Sequence, residues 1–75
     1  MKDRKFSFVI ANDTIREKVF IEVWCDNNLW VEISQETEDL VVTFFSPPNS
    51  KYWELPFDKA MQALEAARRK LLELD

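Results

Sequence analysis

No glycine occurs anywhere in this chain. Every reversal of direction must therefore be made by residues that carry a Cβ, and a left-handed turn position falls to asparagine or aspartate. The same absence removes the glycine loops that cradle phosphates. Two further scarcities narrow the chemistry. There is no histidine, so imidazole acid–base catalysis and the common zinc sites are missing. A single cysteine, Cys25, allows no disulfide within the chain.

A chain of 75 residues makes one domain, 1–75. At this size about 60–65% of the unfolded surface is buried on folding, so the stability margin is thin. Without disulfides or a structural metal, self-association is the remaining common route to more buried area, and a homodimer is expected. The net charge of −4 favours solubility and disfavours non-specific contact with nucleic acid or anionic membranes. No apolar run approaches the roughly 20 residues of a membrane helix. The charged start, Met1 to Lys5, leads into no signal-peptide core. With an unpaired thiol, the expected compartment is the cytoplasm.

Alternating side chains mark the strands. They are predicted at about 5–10, 18–25, 29–34 and 40–45, with a short last one at 51–55. Strands 18–25 and 29–34 form a hairpin whose register follows from parity. A two-residue loop, Asn27-Asn28, would set Val23 against Glu32 and mix the faces. A three-residue loop, Asp26-Asn27-Asn28, opposes Cys25 to Leu29, Val23 to Val31 and Ile21 to Ile33, and keeps one face aliphatic. Asn28 then takes the left-handed position. The same register sets Trp24 against Trp30 and Glu22 against Glu32.

Ser46-Pro47-Pro48-Asn49-Ser50 reads as a stiff loop. Pro56 suits the first turn of a helix over 56–74. Phe57, Ala60, Met61, Leu64, Ala67, Leu71 and Leu74 recur at spacings of three and four and form its apolar face. Glu65 and Arg69 make an i,i+4 pair. The fold class is α+β: an antiparallel β-meander of three to five strands, packed on one face by a single C-terminal helix.

If that helix covers the face with Val19, Ile21, Val23, Leu29, Val31 and Ile33, then Phe20, Trp24 and Trp30 lie on the other side with Glu22 and Glu32. Such an aromatic patch exceeds what a monomer leaves exposed. These five residues are the expected dimer or partner interface, unless the N-terminal strand or the Pro-Pro loop folds over them. Buried there, the two glutamates would need cationic or polar partners. Tyr52 and Trp53 form a second aromatic cluster, read either as a contact platform or as a pin between loop and helix. Cys25 lacks an activating base and reads as a small core residue. The carboxylates match no calcium loop. Arg68, Arg69 and Lys70 complement the helix dipole.

The element order, strands and then one long helix within 55–74, resembles that of transcriptional-coactivator-type and Whirly-type domains. That resemblance implies dimers that bind single-stranded nucleic acid on their sheets. Such binders pair stacking aromatics with a positive groove, whereas here Trp24 and Trp30 stand beside Glu22 and Glu32. The composition also resembles that of small acidic immunity or inhibitor proteins, which block a basic toxin or nuclease. The residues together predict a non-enzymatic protein-interaction module that uses no cofactor or metal. It is expected to self-associate through its sheet or to bind another protein, with nucleic acid ranked low and membranes excluded.

Overall fold

A computed structural model describes residues 4–74; residues 1–3 and 75 of the predicted domain lie outside the described residues. Four strands, β1 (Phe6–Ala11), β2 (Phe20–Cys25), β3 (Asn28–Ser34) and β4 (Val41–Phe44), precede one helix, α1 (Phe57–Leu72). The sheet is antiparallel in the order β1-β2-β3-β4, the α+β meander expected from the pattern. The N-terminal strand belongs to it, pairing with β2 from Phe6 opposite Cys25 to Ala11 opposite Phe20.

The hairpin between β2 and β3 departs from the predicted loop. Asp26 and Asn27 both have positive φ, 51° and 69°. They form a two-residue turn whose twist suits the flanking strands. Cys25 therefore faces Asn28, and Trp24 faces Leu29. The register shifts beyond that point, and Val23–Val31, Glu22–Glu32 and Ile21–Ile33 pair as parity requires. Trp30 is the residue inserted by this bulge. The sequence argument treated loop length as the only way to keep the aliphatic face together. A short loop followed by a bulge does the same and turns Trp30 over.

The core lies between the sheet and α1. Ile21, Val23, Cys25, Val31 and Leu71 are fully buried there, each of the larger aliphatics contributing about 1.5–3 kcal/mol. Ala63 and Ala67 are the other buried positions of α1, with Ala60 and Leu64 packed at their margin. Small side chains let the helix axis approach the sheet closely. It does so over β2 and, less extensively, β1. Phe57 and Met61, predicted on the buried stripe, are exposed. Glu65 pairs with Arg68 at 2.7 Å, one residue earlier than the expected Arg69 partner.

Segment 51–55 is not a strand. After Pro47 and Pro48 it crosses the helix-side face, where Trp53 and Leu55 pack against the core. The Trp53 indole N–H donates to the Phe45 carbonyl at 2.7 Å. That bond fastens the loop to the end of β4.

Asp26 ties the turn to the start of β1. Its carboxylate accepts the Lys5 N–H at 3.0 Å and Arg4 Nη1 at 3.1 Å, and its own N–H donates to the Lys5 carbonyl at 2.9 Å. These donors, the Lys5 N–H first, hold the carboxyl below its ordinary range. Arg4 also reaches the Glu54 carbonyl at 3.3 Å.

Candidate interaction surfaces

The five residues predicted to form an aromatic interface do not form one patch. Trp30 is 5% exposed and sits in the helix-side core. Its ring lies 5.5 Å from that of Phe6 and 6.4 Å from that of Phe44. Both neighbours belong to the helix-side face, opposite Cys25 and Val31 respectively. Phe20, Glu22, Trp24 and Glu32 remain on the outer face.

That outer face is partly covered by the connection between β1 and β2. Asp13 opens it as a small turn, accepting the N–H groups of Ile15 and Arg16 at 3.0 and 2.8 Å. Arg16 then lies over the Phe20 ring, 4.0 Å from its centroid, and donates through Nη2 to Glu32 at 2.6 Å. Phe20 and Glu32 are buried beneath it. The hydrogen bond to Glu32 strengthens the hold of Arg16 on its proton. Glu36 fastens the end of the connection by accepting the N–H groups of Glu17 and Lys18 at 3.0 and 2.9 Å. The Gln35 amide donates to the Val19 carbonyl at 2.9 Å. The cation required by the Glu22–Glu32 pair therefore comes from this chain. Glu22 takes the Trp24 indole N–H at 3.2 Å. Trp24 and Leu29 stay half-buried beside it.

Arg16 was not singled out from the sequence. The signal was present: two glutamates opposed in one register demand a cation, and Arg16 precedes β2 by a few residues. The covering segment is also neither of the two anticipated, the N-terminal strand and the Pro-Pro loop.

Tyr52 and Trp53 part company. Trp53 pins the loop to β4, while Tyr52 is exposed beside an open cleft of about 280 Å³ between Arg4, Asn28 and the Pro47-Pro48 loop. Cys25 is fully buried, and its thiol is pushed up by desolvation and by the neighbouring Asp26 charge. That is the opposite of nucleophile activation. Among the described residues no group of potential metal ligands assembles, and no helix is long and apolar enough to cross a membrane.

An open apolar feature lies on β4, a strand outside the predicted interface. A helix is about 10 Å wide with its side chains, and strands are about 4.8 Å apart, so one helix covers about two strands. Centred over β2, α1 leaves the helix-side face of β4 uncovered. Val42 and Phe44 point to that side, opposite Ile33 and Val31, and are 43% and 61% exposed. A groove of about 310 Å³ runs between Val42 and the helix, lined by Ile33, Leu40, Val42, Met61 and Leu64, with Glu65 and Arg68 at its rim. Its margin also carries the outer edge of β4.

No family model matches the chain, and no curated protein or solved structure matches it either. The surface itself carries the functional argument.

Proposed function

We propose that this chain is a non-catalytic protein-interaction module that associates through the β4–α1 side of its sheet. The observation that carries this reading is the uncovered helix-side face of β4, where Val42 and Phe44 stand open beside an apolar groove. A small domain gains by covering such a strip, and an exposed strand next to it supplies backbone hydrogen bonds for a partner. The outer face is the poorer candidate, because Arg16 occupies its centre. Protein is preferred to single-stranded nucleic acid as the partner class. The net charge is −4, and the open indole on the outer face, Trp24, is bonded to a carboxylate.

Site-specific photocrosslinking tests the reading. A benzophenone side chain replaces Phe44 in one variant and Val9, an exposed residue of β1 on the outer face, in another. Irradiation in the cells that make the protein should yield protein adducts from position 44 and few from position 9. Equal yields at the two positions, or none at 44, would sink the proposal.

A further inference from the structure

One helix cannot cover four strands, and the strip left open on β4 has a particular self-complementarity. We infer that its occupant is a second copy of this chain, with β4 paired antiparallel to β4 about a two-fold axis at Thr43. The inference rests on the reading of the β4–α1 side as the association surface and names the partner.

Edge strands of monomers are commonly guarded by charge, proline or a bulge. Val41–Phe44 reads Val-Val-Thr-Phe, with no charged residue and no proline, and its pairing to β3 is regular. Its outward groups can be identified. Phe45 donates its N–H inward to the Trp30 carbonyl at 2.9 Å. Alternation along an antiparallel strand then turns the backbone groups of Thr43 inward and those of Val42 and Phe44 outward.

Only some registers suit those groups. Opposed residues share a face, so a two-fold pairing must centre on a residue. Centred on Val42, it sets Phe44 against Leu40; centred on Phe44, it sets Val42 against Ser46. Centred on Thr43, it sets Val42 against the second copy's Phe44, and the reverse. That register pairs the two most exposed helix-side residues of the strand. It also makes them the residues that exchange both backbone hydrogen bonds across the seam. The axis stands perpendicular to the sheet and keeps both helices on one side. The two apolar grooves then lie on the same side of one continuous sheet.

At the other edge of the sheet Phe6 and Phe8 pack against the core and only Ile10 of the helix-side residues of β1 is open, at 42%, whereas on β4 both Val42 and Phe44 are open.

The test combines sedimentation with cysteine crosslinking. Wild type should sediment as a dimer, and Val42→Asp should raise the dissociation constant by about 100-fold or more, since each aspartate would face an apolar side chain across the seam. In the register centred on Thr43 the two Thr43 positions form a non-hydrogen-bonded pair with Cα atoms about 4.5 Å apart, within disulfide reach. Thr43→Cys should therefore crosslink readily on mild oxidation. Val41→Cys, displaced from its own copy by about 13 Å along the strands, should not. Both positions are exposed, and circular dichroism checks that each variant is folded. A wild type that stays monomeric, or equal crosslinking of the two cysteine variants, overturns the inference. A monomer that still yields Phe44-site adducts with other proteins overturns the second copy as occupant and leaves the association surface standing. A monomer with no adducts overturns both.

Discussion

Replacing Trp30 with alanine separates the bulged hairpin from a regular one. Burial of an indole removes roughly 150–250 Å² from water. At about 25 cal/mol/Å² that is about 4–6 kcal/mol, and correction for a compact unfolded chain lowers it to about 3–5 kcal/mol. Trp30, 5% exposed with its ring tilted against Phe6 and edge-on to Phe44, should lose that amount. Trp24 is half-buried on the outer face, so by the same measure Trp24→Ala should cost about 2 kcal/mol. A domain of 75 residues holds only about 4–11 kcal/mol in all. Urea unfolding followed by far-ultraviolet circular dichroism avoids the lost fluorophore. With a slope of about 1 kcal/mol/M, the midpoint should fall by about 3 M or more for Trp30→Ala and by about 2 M for Trp24→Ala. All proteins must be compared at one concentration, because a dimer's midpoint depends on it. Equal losses would place both indoles in one environment, as a three-residue loop without a bulge requires, and would refute the register.

The remaining predictions concern charge. Asp26 has a folded pKa below its unfolded one, so its ionised form favours the folded state; that contribution is present above about pH 4 and is lost as the pH falls through the folded value. Asp26→Asn keeps a residue tolerant of positive φ, so it should melt below wild type at neutral pH and converge with it in acid; a gap that persists at the acid end would contradict the assignment. Arg16→Ala leaves the Glu32 carboxylate buried without its cation and should lower the melting temperature by roughly 5–10 °C, with partial recovery in the Arg16→Ala/Glu32→Gln double variant. A double variant less stable than the single would show that the ion pair is not what holds the β1–β2 connection down.

Much of the fold was legible because its signals are local and repeated. Alternation in Phe20–Cys25 and Asn28–Ser34 marks two strands, and the three-and-four spacing through Ala60, Ala67 and Leu71 marks the helix. The interior register, Val23–Val31 and Ile21–Ile33, also followed from parity. The turn did not, because parity constrains the sum of loop residues and bulged residues and not the loop alone. Two positive-φ residues followed by a bulge satisfy it as well as a three-residue loop does. That ambiguity moved Trp30 to the wrong face and made the aromatic interface look larger than it is. Arg16 was missed for a different reason. A single cation in a polar connection has no period, and its role appears only when Glu32 and Phe20 are brought beneath it. Phe57 and Met61 were misplaced because an apolar stripe on a helix records what could be buried, whereas Ala60, Ala63 and Ala67 record where the sheet comes close.

The want of glycine and the open strip on β4 are connected through the hairpin. Asp26 and Asn27 can both hold positive φ without glycine, and the resulting two-residue turn requires the bulge. The bulge delivers Trp30 to the helix-side face near the turn, over small Cys25 and against Phe6. That end of the sheet is then filled by an indole, with Trp53 and Leu55 packed beside it, and the helix need not reach it. The helix settles over β2, where its alanines fit closely. Val42 and Phe44 are left only partly covered, 43% and 61% exposed. A chain selected to remain monomeric could close this strip with one lysine on β4 or a longer helix side chain in place of Ala60. This chain instead keeps an uncharged strand at an uncovered edge, and that is the feature on which the proposed pairing rests.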